Sequence, residues 1–168
     1  MPSLWRISQY PDLRGEGGRR TDNRWNRRGK PIVYLAQTVA GVILEHMVHI
    51  MDNTRLPVGL KLIHVNYPDS LKIASISESD LPDGWHTNVE CTRNAGDQWL
   101  KNSGSALLRV PSSIAPDTVN VLLNLTHPNV AQVEIIEHIS FDLEPRLNRL
   151  ADYALSYRTE VRYVARDE

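Results

Sequence analysis

The sequence predicts a single α+β domain, a mixed β-sheet core with flanking helices. Three observations predict it. The chain has 168 residues, which suits one domain with one sizeable core. Short runs of β-branched and aromatic residues recur along it, bounded by turn-forming residues. Between them, two longer stretches place their apolar residues inward at helical intervals. No repeat, low-complexity tract or linker divides the chain.

The elements follow in order. Leu4 to Ile7 reads as a strand with Trp5 and Ile7 on one face and Arg6 on the other. Tyr10 to Leu13 opens a loop, which Gly15, Gly17 and Gly18 keep flexible or let adopt positive φ. Ile32 to Ala36, after Pro31, is a strand. Thr38 is an N-cap for a helix whose stripe is Val39, Val42, Ile43, Met47 and Ile50. On that helix Glu45, His46 and His49 lie close to the stripe. Met51 to Pro57 is a turn, Val58 to Val65 a strand, Lys72 to Ile76 a short strand, and Ser77 to Asp83 a loop or one helical turn. Cys91 to Asn102 reads as a helix turning Trp99 and Leu100 inward, with Asn94-Ala95-Gly96 as a loop ahead of them. Ser105 to Val110 is a strand stopped by Pro111, and Val119 to Leu125 a strand or buried turn. Val133 to Ile139 is a strand that Phe141 to Leu143 continue; the polar end after Arg146 is partly helical.

Composition excludes several classes. Nineteen basic against twenty acidic residues give a net charge of −1, which argues against a general nucleic-acid binder. The single cysteine, Cys91, forms no internal disulfide and reads as a small structural residue, as suits a reducing compartment. The start, MPSLWRISQY, lacks a signal-peptide layout, and no apolar run reaches the length of a membrane span. The expectation is a cytoplasmic protein without membrane or direct nucleic-acid contact.

The chemistry concentrates between Gly15 and His49. Arg14, Arg19, Arg20, Arg24, Arg27 and Arg28 crowd the Gly-rich stretch, either as a solvated basic loop or as an anion site. It is neither a Walker A loop nor a dinucleotide-binding fingerprint, because neither glycine pattern is present. Arg24, Tyr34 and Glu45 would supply one polar group each from a loop, a strand and a helix. Glu45, at the edge of an apolar stripe, needs a partner or a task. His46 and His49 could seat a metal with His64 or His127, but no HExxH is present and Glu45 precedes the pair.

The ordered set LWRI, GEGG, NRWN, GKPIVYLA, the Glu45 helix, GDQWL, SALLRVPSS and NVLLNLTHP resembles the RES-domain family, named for its Arg, Glu and Ser positions. The resemblance runs from Leu4 to about Leu147, so residues 1–147 read as the RES domain and 148–168 as an extension of it. It implies a toxin of a bacterial toxin–antitoxin pair, with a fold similar to ADP-ribosyltransferases, that degrades NAD⁺ by cleaving the nicotinamide–ribose bond. No metal is implied. The acceptor of the ADP-ribose is water, phosphate or a protein side chain. Arg24 matches the Arg of the family's GRWN pattern, Tyr34 its Tyr and Glu45 its Glu. Ser112 matches its Ser, with Ser105 as the alternative, and Arg6 matches an Arg of the opening strand. Asn23 stands where the family usually has Gly, and Asn tolerates left-handed backbone. In these roles Arg6 and Arg24 clamp the pyrophosphate and Tyr34 stacks on or lines the nicotinamide pocket. Glu45 stabilises charge building on the ribose, and Ser112 hydrogen-bonds substrate or Glu45. Arg27 and Arg28 are expected to be solvated. The partner implied is an antitoxin with an Xre-like helix-turn-helix domain. A non-catalytic domain whose basic loop docks an acidic partner is the other class.

Overall fold

The computed structural model describes residues 1–52 and 57–150. Seven strands form one sheet: β1 (Ser3–Ser8), β2 (Ile32–Ala36), β3 (Lys61–Asn66), β4 (Ile73–Ser75), β5 (Leu107–Pro111), β6 (Val119–Asn124) and β7 (Glu134–Ser140). Their order is β4-β5-β6-β2-β1-β3-β7. β4 runs parallel to β5 and every other neighbouring pair is antiparallel, so the sheet is mixed, as expected. The helices are α1 (Glu16–Arg20), α2 (Val39–Asp52) and α3 (Val89–Asn102), and residues 145–150 are also helical.

Alternation along the strands sorts the core. Val33 and Leu35 of β2 join Leu4, Ile63, Val65, Val121 and Leu123 in one buried cluster. Ile32 and Tyr34 turn the other way, into a cluster of Trp25, Trp85, Trp99, Leu108, Val110 and Leu122. Ala36, on that same face, joins Ile7, Leu62 and the α2 stripe of Val42, Met47 and Ile50. One face of the sheet thus carries α2 over β1 and β3, with α3 beside it over β5 and β6. Thr38 caps α2 as its sequence suggests, its Oγ1 accepting the Gly41 N–H at 3.0 Å.

The centre of the sheet is not closed. β1 pairs with β3 along its whole length, and β2 with β6 along its whole length. β1 and β2 themselves meet at one position, Trp5 opposite Ala36, and splay beyond it. Residues Ile32 to Leu35 of β2 therefore have no strand partner on the β1 side.

Three expectations change. The Gly- and Arg-rich stretch is not all loop, because α1 folds within it and packs on the start of β2. Gly18 allows that approach: a Cβ there would lie 2.6 Å from the Lys30 carbonyl and collide with the Ile32 side chain. Gly96 and its neighbours lie inside α3, not in a loop. Past β7, Phe141 extends the pairing by one hydrogen bond to the Leu60 carbonyl at 2.9 Å, and Phe141 and Leu143 pack with the α2 cluster. The expected turn at Met51 to Pro57 falls partly, and the tail from 151 wholly, outside the described residues; residues 51 and 52 end α2.

Candidate functional site

A cavity of about 170 Å³ opens where β1 and β2 part. Arg6 comes from β1, Tyr34 from β2, Glu45 and His46 from α2, and Asn120 from β6. Gly17 and Gly18 of α1, with Asn23, close one side. Three of the predicted residues, Arg6, Tyr34 and Glu45, therefore line one cavity.

Glu45 is held from below by the sheet. Its Oε1 accepts a hydrogen bond from Ser112 Oγ at 2.8 Å and another from Asn120 Nδ2 at 2.6 Å. Ser112 is buried at the end of β5, and its Oγ accepts the backbone N–H groups of Ile114 at 3.1 Å and Ala115 at 3.3 Å. Those two contacts fix the hydroxyl proton on Glu45, so Ser112 serves as both a turn residue and a holder of the carboxylate. Ser105, the alternative, is buried elsewhere, between Trp99 Nε1 at 3.0 Å and the Leu107 carbonyl at 2.8 Å.

Arg6 is a half-buried cation. Burial pulls its guanidinium below its ordinary range and Asp12 partly offsets this; an arginine remains protonated nonetheless. It makes no hydrogen bond or ion pair with another described residue. Burial, and secondarily His49, lowers the His46 pKa, so this ring is neutral at pH 7. Its Nε2 is buried without a hydrogen-bond partner among the described residues.

Tyr34 lines the cavity with its ring and anchors a loop with its hydroxyl. The hydroxyl donates to Asn26 Oδ1 at 2.8 Å and accepts the Trp25 N–H at 3.1 Å. Burial pushes the phenol pKa up, so the proton stays on oxygen at any physiological pH. The loop is fastened to α3 as well. Thr92 Oγ1 donates to the Arg24 carbonyl at 2.7 Å and Arg93 Nε to the Asn23 carbonyl at 2.9 Å. Gly96 lets the helix backbone meet the Trp25 carbonyl, with which a Cβ would collide.

The loop corrects two expectations. Asn23 is not left-handed; it closes a tight turn by bridging to Asn26, its N–H on the Asn26 carbonyl at 2.9 Å. Arg27 is not merely a solvated residue: though 43% of its side chain is exposed, it is held by α3. It binds Asp97 at 2.7 Å, Glu90 at 2.6 Å and Asn94 at 2.9 Å, and the hydrogen bond to Asp97, above all, raises its pKa. Arg14, Arg19 and Arg20 likewise face Asp12 and Glu16. The crowded arginines are thus largely neutralised, and local charge does not explain an anion site. Arg24 does not line the cavity: its guanidinium donates to the His86 carbonyl at 3.0 Å, beside the loop it belongs to.

The remaining histidines are dispersed. His64 stacks on Trp5 with ring centroids 4.3 Å apart, and His127 caps a short 3₁₀ turn by accepting the Asn129 N–H. No group of three or more metal-ligating side chains occurs among the described residues. Sequence reasoning missed Asn120. The available signal was a polar residue sharing a face with Leu122 in a central strand, where a buried amide needs a partner.

The RES domain model matches residues 3–144. A "Toxin Res" of Pseudomonas putida is 39% identical over 133 residues, covering 79% of this chain and 90% of that protein. A "Prs ADP-ribosylating toxin" of a Sphingobium species is 32% identical over 159 residues, covering 89% of this chain and 98% of that protein. Among solved structures, a chain of the M. tuberculosis MbcT–MbcA toxin–antitoxin complex superposes with a TM-score of 0.65 over 92% of this chain and 88% of its own, at 16% identity. That likeness is one of fold.

Proposed function

The chain belongs to the RES-domain toxin family, and from that premise we propose that it is the toxin of a bacterial toxin–antitoxin pair that degrades NAD⁺ by breaking the nicotinamide–ribose bond. The observation that carries the reading is the pairing, on the walls of one cavity, of a pinned carboxylate with an unpaired cation, Glu45 with Arg6. NAD⁺ has groups for both. Its phosphates suit a guanidinium that lacks a partner. Its ribose turns cationic as the bond to nicotinamide breaks, and a carboxylate fixed in place beforehand stabilises that charge.

The volume agrees with partial enclosure. About 170 Å³ is less than the ~300–1,000 Å³ of ordinary small-molecule sites, so the cavity takes the nicotinamide-ribose end up to the phosphate at Arg6 and the adenosine half extends along the mouth. Tyr34 offers its ring to the nicotinamide, while its hydroxyl keeps the wall in place. Arg24, with one guanidinium donor spent on His86 and others available, serves the mouth. The neutral His46 adds a hydrogen-bonding group without adding repulsion toward the cationic nicotinamide. The chain's own residues supply every role, and no metal is invoked.

A second reading rests on the name of the Sphingobium relative: the same bond breaks, and a protein side chain takes the ADP-ribose. The proposed partner of the toxin is an antitoxin with an Xre-like helix-turn-helix domain, and the proposed site of action is the cytoplasm. One experiment tests the chemistry. Purified chain is incubated with NAD⁺, with and without inorganic phosphate and with a chelator, and the products are analysed. Free ADP-ribose indicates hydrolysis, a phosphorylated product indicates phosphorolysis, and label retained on protein indicates transfer. Intact NAD⁺ in all arms rejects the proposal.

A further inference from the structure

Glu45 receives two hydrogen bonds on one oxygen, and the donors come from different segments. Ser112 directly follows β5 and Asn120 lies in β6. Asn120 is opposite Ala36 on one side and Val110 on the other, so the full β2–β6 and β5–β6 ladders fix its backbone. Its amide reaches Glu45 at 2.6 Å, the shorter of the two contacts. The orientation of that amide is unambiguous, because the oxygen turned toward a carboxylate would repel it. The other amide atom, Oδ1, is buried and has no hydrogen-bond partner among the described residues. A buried amide that gives up one of its hydrogen-bonding sites is costly, and such a cost is tolerated where the other half has a task.

We infer that Asn120 is a positioning residue for the reaction: it locks the Glu45 carboxylate by its Oε1 and so commits the other oxygen, Oε2, to the ribose. This rests on the reading of the cavity as an NAD⁺ site. Two donors on Oε1 do more than orient the group. They occupy Oε1 as an acceptor and leave Oε2 as the oxygen offered to the cavity. Ser112 alone would allow the carboxylate to rotate about its hydrogen bond; a second donor from the neighbouring strand removes that freedom. The charged and titratable groups around the pair are Arg6 of β1, Tyr34 of β2, and His46 and His49 of α2.

The test uses Asn120→Ala and Asn120→Asp in the full chain, with NAD⁺ turnover as readout. Asn120→Ala removes the donor, and kcat falls about ten- to a hundredfold with KM little changed. Asn120→Asp keeps the shape but sets a carboxylate against Glu45, so near neutral pH it is worse than alanine. A role in packing alone gives the reverse order, with the isosteric Asp the milder change, and overturns the inference. A second measurement does not depend on turnover: the Asn120 side-chain amide resonances move on Glu45→Gln if the contact exists in solution, and their staying fixed overturns it. If the wild-type chain consumes NAD⁺ while both Asn120 variants keep its kcat, this inference fails and the reading of the site survives. If the wild-type chain leaves NAD⁺ intact, both fall together.

Discussion

At the scale of single residues, the proposed function rests on a carboxylate whose surroundings are partly legible in the sequence. Glu45 stood out because an acidic residue at the edge of an apolar stripe must find a partner, and Ser112 proves to be one of its two partners. Asn120 was not legible. It lies 75 positions from Glu45, and an asparagine in a strand carries no local sign of what it will touch. Three-residue spacing of His46 and His49 on a helix says nothing about whether other ligands converge, and among the described residues none do. Glu45→Gln tests the centre of the proposal. Glutamine keeps an oxygen that accepts from both Ser112 and Asn120, so the variant folds normally. It removes the charge, and the expected loss of NAD⁺ turnover is on the order of a hundredfold or more. Near-normal turnover by a folded Glu45→Gln protein rejects the role.

At the scale of elements, the strand, the helix and the cap that frame the site announce themselves through local chemistry. IVYLA, the α2 stripe and Thr38 all form as their spacing indicates. α3 does not, at its middle. Glycine is unfavourable inside a helix, so Gly96 reads as a break. Its helical position makes sense only once the Trp25 carbonyl is seen against it. The same blindness to distant partners hides Arg27, whose ligands Glu90, Asn94 and Asp97 all lie on α3. α3 is therefore the bed on which the loop from Asn23 to Arg28 rests. Gly96→Ala should displace that loop, at a cost of about 1–3 kcal/mol or more in stability, read by thermal or denaturant unfolding. Arg24→Ala and Arg27→Ala should separate. The first loses NAD⁺ turnover with little change in melting temperature; the second lowers the melting temperature, and Arg28→Ala does neither. Equal losses of turnover at all three positions would point to a diffuse basic patch.

At the scale of the whole molecule, several loop arginines pair with nearby acids, whereas Arg6, set in a recess, has no ion pair among the described residues. An inhibitor has an evident target there: a carboxylate entering the cavity would meet Arg6. Co-expression with a neighbouring antitoxin gene should yield a stable complex that no longer consumes NAD⁺. A complex as active as the free chain counts against occlusion and indicates control by transcription or proteolysis. The splayed centre of the sheet has a different consequence, one of cooperativity. The two half-sheets share one ladder position, Trp5 with Ala36, so they are tied by the common apolar core more than by backbone pairing. Whatever fills the gap touches both halves and becomes the missing mortar. A molecule that binds the folded state alone raises stability by about 2.7 kcal/mol at a hundred times its dissociation constant. For a chain of this length that is roughly 5–10 °C in melting temperature. NAD⁺ added to the Glu45→Gln protein, which cannot spend it, should show this rise and sharpen the transition. An unchanged melting curve at saturating NAD⁺ would mean that the gap is spanned by nothing.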